Sequence, residues 1–394
     1  MNGNESLQFI ERGMGMYIHI PFCKQKCIYC DFPAYQNLQD YYDTYVYALL
    51  QEMTVFKEVH LEVGDCLINT IYFGGGTPTE LSLLQLEQIL NHIKTLYAIA
   101  DDCYCTIEVN PDEVTKEYLI GLFQLGFHRV SFGVQTFDDA ALLALHRSHS
   151  SKDAINAVQL AYEVGFSDIN IDLIYGLPNQ TVADIEYNFE ILESLPVHHV
   201  STYGLQVEEG TYLYHLVQKG LVTLPDEDAE DLIYETTMSG LEILGFERYE
   251  ISNFAKYGSY SAHNLKYWRY VDYLGFGAGA HSFYKGIRWE NNRNVMPYIR
   301  LIDNYQLPIV HEEVIRKDRA IEDYAFLALR TKWGLSETQF LETFDMSLSL
   351  KYGKVLKALI DKNLIIYEDG AYRLTTEGIK QGNYVFTHFI GTPL

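Results

Sequence analysis

Short apolar runs and longer amphipathic ones take turns along the first half of the chain. YIHI from Tyr17, TIYFG from Thr70, CTIEVN from Cys105, RVSFGV from Arg129, INIDLIYG from Ile169 and VSTYGLQV from Val200 are rich in β-branched and aromatic residues, which predicts strands. Between them, LSLLQLEQILNHIKTLY from Leu81 and TKEYLIGLFQLG from Thr115 space their apolar residues three and four apart, the period of a helix with one buried face. Gly126 and Gly165 each close such a run, where a helix C-terminus favours glycine. Six strand–helix alternations predict a parallel α/β architecture, barrel-like or doubly wound.

The strand candidates begin apolar and end in residues that carry chemistry: GGGTP, EVNPD, GVQTF and DLIYGLP. In parallel β/α barrels the loops after the strand C-termini share one face and build the active site. Thr77, Glu108, Gln135 and Asp172, distant in sequence, are therefore expected to converge. After about Leu205 the rhythm changes. A helical stretch from Asp226 to Leu244 leads into RYEISNFAKYGSYSAHNLKYWRY and LGFGAGAHSF, both aromatic and glycine-rich. From about Asp318, helices followed by LIIYEDGAYRLT, with a hairpin signal at Asp369-Gly370, read as a winged-helix-like domain. The expected divisions are a tail over 1–15, an α/β core over 16–240, an α+β extension over 241–317 and the terminal domain over 318–394.

Composition narrows the class. At 394 residues and 48% hydrophobic, the chain can bury a sizeable core. No stretch approaches the roughly eighteen uninterrupted apolar residues of a membrane span. The opening MNGNESLQFIERGMGMYIHI lacks a basic flank, a long apolar centre and a small-residue cleavage site. The expectation is a cytoplasmic protein, not an integral membrane one, with Met14 and Met16 as alternative starts. A net charge of −24 without a dense Lys/Arg cluster argues against nucleic acid and anionic membranes as partners. The terminal domain likewise lacks a basic face for DNA. Six cysteines in a chain this long make no disulfide framework, and Cys66, Cys103 and Cys105 read as small core residues.

Cys23, Cys27 and Cys30 stand apart, in a C-x3-C-x2-C spacing just after the first strand. Three thiolates hold three irons of a [4Fe–4S] cluster and leave the fourth iron an exchangeable position. The amino and carboxylate groups of S-adenosylmethionine suit that position. On spacing alone, a zinc ion completed by His19 is the alternative. Gly74, Gly75 and Gly76 let backbone come close to a ligand, or form a tight turn. Glu108, Gln135 and Asp172 offer acceptors for ribose hydroxyls or an amino group, and Arg147 a partner for a carboxylate.

From residue 16 to about 300 the chain resembles the radical S-adenosylmethionine superfamily, in the branch of oxygen-independent coproporphyrinogen III dehydrogenase. YIHIPFCKQKCIYCDF, FGGGTP, EVNPD, RVSFGVQTF, LHR at 145–147 and NIDLIYGLP carry the likeness, in the family's order. The resemblance implies an incomplete parallel (β/α)6 barrel whose Cys23, Cys27 and Cys30 ligate the cluster. It also implies S-adenosylmethionine contacts at Tyr17, Tyr29, Gly75, Gly76, Thr77, Glu108, Gln135, Arg147, Asp172 and Gly204. The dehydrogenase carries a fourth cysteine two residues after the third, where this chain has Phe32, so porphyrinogen oxidation is in question. H-N-x-x-Y-W from His263 to Trp268, followed by GFGAGAHS, instead resembles the HemW-type group of haem chaperones. That likeness implies a haem cargo, with His263 as axial ligand, His281 as second choice, and Tyr267 and Trp268 as flat faces for the macrocycle. The glycines from Gly275 to Gly279 would then admit a large planar ligand. The implied partner is a haem-acceptor protein, soluble or membrane-bound. The terminal domain either docks that acceptor or covers the ligand. The rival reading is a radical enzyme acting on a tetrapyrrole.

Overall fold

The computed structural model describes residues 3–391. Six parallel strands run in sequence order: β1 (Met14–Ile20), β2 (Leu67–Gly75), β3 (Ala98–Val109), β4 (Arg129–Gln135), β5 (Asp168–Tyr175) and β6 (His199–Gly204). β1 and β6 do not pair, so the barrel stays open. β7 (Glu247–Arg248) and β8 (Asn253–Ala255) extend the β6 edge. β9 (Tyr273–Phe276) joins β1 in parallel, and β10 (His281–Tyr284), β11 (Ile287–Asn291) and β12 (Ile309–Val314) continue antiparallel. The result is one 12-stranded sheet in the order β12-β11-β10-β9-β1-β2-β3-β4-β5-β6-β8-β7.

The two-residue period of a strand sorts side chains to opposite faces. Ile18, Ile20, Ile71, Phe73, Ile107, Val130, Phe132, Ile169 and Ile171 are buried in the main core under the helices. Each contributes about 1.5–3 kcal/mol by burial. The alternate positions carry Tyr72, Thr106, Ser131, Asn170 and Ser201, which line a small polar lumen. The covering helices are framed locally. Ser82 and Gln85 form a capping box on Leu83–Leu96. Lys116–Leu125 and Ser151–Val164 end on Gly126 (φ 93°) and Gly165 (φ 115°), in the left-handed conformation.

Residues 3–15 differ from the expected tail. Gly3–Glu11 is a helix whose Phe9 and Ile10 are buried with Tyr249, Ala255 and Leu265. The terminal region forms its own core from Ile321, Leu329, Phe340, Tyr352, Leu359 and Phe389. Its small sheet comprises β13 (Leu335–Ser336), β14 (Ile365–Glu368) and β15 (Ala371–Leu374). Asp369 (φ 51°) and Gly370 (φ 79°) make the hairpin turn. Among the described residues, no helix is long and apolar enough to cross a membrane.

Candidate cofactor site

The cysteine loop follows β1 and is pinned at several points. Cys23 N donates to Tyr35 O (3.0 Å) and Tyr35 N to Pro21 O (2.8 Å), closing the loop on itself. Ile28 N donates to Leu145 O (3.3 Å), and Leu213 N to Ile28 O (2.8 Å). Phe22 anchors the start, with its ring 4.3 Å from that of Tyr42 and 5.1 Å from that of Tyr45. Cys23, Cys27 and Cys30 all line one cavity of about 560 Å³ at the C-terminal ends of the strands. Burial pushes the Cys23 thiol up to about 12, against a hydrogen bond from Thr77, and raises Cys30 in the same way.

Gly75, Gly76, Thr77, Glu108, Gln135, Arg147, Asp172, Gly204 and Tyr29 line the same cavity, as the strand-end argument requires. Tyr17 does not. It lies in the lumen, its hydroxyl sharing a hydrogen bond with His19 Nδ1 (3.1 Å) and its ring stacked 6.1 Å from that of Tyr72. The glycine run serves the chain's own close packing. A Cβ on Gly76 would lie 2.5 Å from Phe22 O and 3.0 Å from Cys23 Sγ. Gly75 holds φ 119°, and a Cβ there would meet His19 at 2.6 Å.

Two carboxylates face each other across the cavity floor. Glu108 accepts from Tyr72 Oη (2.9 Å) and Gly75 N (3.0 Å). Burial, then the charge of Asp172, pushes its carboxyl up to about 7. Asp172 accepts from Asn170 Nδ2 (2.8 Å), and burial raises it to about 6. Arg147 donates to Cys27 Sγ (3.3 Å), Asn110 Oδ1 (2.9 Å) and Gly133 O (2.6 Å), and its buried Nε has no partner. The cavity lining thus carries one guanidinium and two carboxylates.

The zinc alternative loses its fourth ligand. His19 is 3% exposed, with Nε2 bonded to Pro33 O (3.0 Å) and Nδ1 engaged by Tyr17. Among the described residues, no three His, Cys, Asp or Glu side chains converge on a single metal ion. Three thiols lining one cavity match the ligand number of a polynuclear cluster with one open iron, each thiol taking a different iron.

The H-N-x-x-Y-W segment is packed inside the protein. Helix Ala262–Trp268 plugs the barrel floor, with His263 Nδ1 hydrogen-bonded to Thr70 Oγ1 (3.0 Å) and Nε2 to Tyr267 Oη (2.8 Å). His263 is 3% exposed, so neither ring nitrogen is open to a metal. The Tyr267 ring packs edge-on at 4.5 Å against Tyr273, and the Arg330 guanidinium lies 4.4 Å over Trp268. The glycines after it are filled by protein. A Cβ on Gly277 would lie 2.5 Å from His19 O, and one on Gly279 2.7 Å from Pro33 Cγ. His281, by contrast, is exposed at the start of β10.

Several cavity residues escaped the sequence reading: Asn110, Ser131, Tyr203 and Arg293. Asn110 was legible two residues beyond Glu108 in EVNPD, whereas nothing in sequence ties Arg293 to the cysteine loop.

The chain matches the Radical SAM superfamily model over residues 17–192 and the HemN C-terminal domain model over 315–380. It is 42% identical over 378 residues to the heme chaperone HemW of Bacillus subtilis, covering 95% of this chain and 98% of that one. To the heme chaperone HemW of Lactococcus lactis it is 34% identical over 381 residues, covering 97% and 98%. The solved structure of coproporphyrinogen III oxidase (HemN) from Escherichia coli superposes with a TM-score of 0.84. At 22% identity, over 99% of this chain and 94% of that one, it shows a shared fold.

Proposed function

The chain belongs to the heme chaperone HemW family of the radical SAM superfamily, and from that premise we propose that it binds a [4Fe–4S] cluster and S-adenosylmethionine and carries haem to an acceptor protein. The observation that supports this most is one cavity lined by three thiols, two buried carboxylates and a guanidinium. Cys23, Cys27 and Cys30 would hold the cluster, which supplies one-electron chemistry when bound. Glu108 and Asp172 would accept from the ammonium and ribose hydroxyls of S-adenosylmethionine, and the Arg147 guanidinium would pair with its carboxylate. Gly75, Gly76 and Gly204 bring bare backbone to the cavity edge, and Gln135 and Tyr29 form part of its wall.

The rival reading, a tetrapyrrole oxidation, is weakened by Phe32, whose side chain stands at the cavity rim 67% exposed in place of a fourth thiol. Haem is then cargo rather than reactant. Two imidazoles are candidates for its iron. His281 is open to solvent, and His263 becomes available only if its bonds to Thr70 and Tyr267 break.

The test uses anaerobically reconstituted protein with S-adenosylmethionine and a reductant, given haem and coproporphyrinogen in separate incubations. Stoichiometric haem uptake with no porphyrinogen turnover is the expected outcome. Catalytic porphyrinogen oxidation would overturn the carrier reading and show that Phe32 does not disable the chemistry.

A further inference from the structure

Asn110, the first residue after β3, has no role in the reading above, yet its carboxamide joins two residues that touch the cysteine thiols. Its Oδ1 accepts from Arg147 Nη2 (2.9 Å), and its Nδ2 donates to Thr77 Oγ1 (2.9 Å) and Glu113 Oε1 (3.1 Å). A guanidinium can only donate, so the amide oxygen must face Arg147 and the amide nitrogen must face Thr77. The Thr77 hydroxyl then receives a hydrogen bond from Asn110, and its own proton is left for Cys23 Sγ, 3.6 Å away. Arg147 Nη1 meanwhile donates to Cys27 Sγ at 3.3 Å.

We propose that Asn110 is a positioning residue that directs hydrogen bonds from Thr77 and Arg147 onto Cys23 and Cys27, and so sets the reduction potential of a cluster held there. The inference rests on the cluster assignment made under the proposed function. Reduction adds negative charge that spreads onto the ligating sulfurs. Donors aimed at those sulfurs stabilise the reduced form and raise the potential. The backbone of Asn110 has a separate task, since its carbonyl accepts from Glu113 N (3.2 Å). A side-chain substitution leaves that bond in place.

N110D preserves size and keeps an acceptor for Arg147, but a carboxylate cannot donate to Thr77. The hydroxyl turns toward the new acceptor and Cys23 loses its hydrogen bond. N110A removes both tethers without adding charge, and serves as the second variant. T77V deletes the donor outright, while T77S retains it.

The experiment is a redox titration of the reconstituted cluster, followed by electron paramagnetic resonance, with iron content measured on every sample. N110D, N110A and T77V are expected to bind the same iron as the parent and to titrate at lower potential, with T77S close to the parent. In a T77V background N110D should shift the potential much less than it does in the parent, because the hydroxyl it redirects is gone. An equal shift in both backgrounds would mean that the added charge acts alone, and would overturn the proposal. Unshifted potentials in N110A and T77V would overturn it too. A parent protein that takes up no cluster would instead refute the functional reading on which the proposal rests.

Discussion

Glu108 and Asp172 are acids in a place that resists their ionisation. Burial is the largest cause for both, and the charge of Asp172 adds to the cost of ionising Glu108. A carboxyl pushed up to about 7, as Glu108 is, folds more readily protonated. Its contribution to stability is therefore full below the ordinary glutamate range and is lost as pH rises through about 7. A ligand bearing a sulfonium and an ammonium reverses that preference, since it needs both acids ionised. S-adenosylmethionine affinity is thus expected to fall as pH drops through about 7 and then about 6. The loss approaches tenfold per pH unit for each carboxyl involved. Calorimetric titration between these limits checks this, and Glu108→Gln should flatten the upper part of the profile. A pH-independent affinity would place the cation elsewhere. At this scale most of the site was readable in sequence. Glu108, Gln135 and Asp172 lie in the C-terminal halves of their strands, and those halves share one end of a parallel barrel. Tyr17 lies in β1 with its hydroxyl on His19 and its ring against Tyr72, and it is absent from the cavity lining although the lumen and the cavity share the inner face of the sheet.

Helix Ala262–Trp268 shows how little a motif says about where it will sit. Read as a string, an imidazole beside two aromatic rings suits a haem. In the fold, Thr70 and Tyr267 take both nitrogens of His263, and Lys266 Nζ reaches the carbonyls of Ile10 (2.6 Å) and Gly13 (2.5 Å). The same holds for the glycine-rich loop. Gly277 N donates to the buried carboxylate of Glu52 (2.8 Å), which also accepts from Asn291 and Tyr298 (both 2.6 Å). His263→Ala is expected to cost about 1–3 kcal/mol of stability, by stripping a partner from two buried hydroxyls. His281→Ala is expected to leave the melting temperature unchanged and to weaken haem binding at least tenfold, read by absorbance titration. Loss of haem in His263→Ala, with His281→Ala unaffected, would mean that the barrel floor opens to admit the iron.

On the scale of the whole molecule the same helix ties three parts together. Arg269, just beyond its end, pairs with Glu11 of the N-terminal helix (2.6 Å) and donates to Gln339 of the terminal domain (2.5 Å). Trp268 lies under Arg330 of that domain. Arg269 is 8% exposed. Removing it should therefore loosen both neighbours, and Arg269→Ala is expected to destabilise by about 1–3 kcal/mol. It should also speed proteolysis on either side of the barrel. Unchanged digestion would show that apolar contacts alone hold the domains. By itself the sequence determined the six strand–helix units, the hairpin at Asp369-Gly370, the cysteine loop and the set of acids around it. These follow from local periods, turn chemistry and the rule that parallel strands end on one face. Only the tertiary structure decided where residues 3–11, the H-N-x-x-Y-W helix and the GFGAGA loop pack. Their partners lie on distant strands, and a buried polar side chain is satisfied by whichever group the packing brings to it.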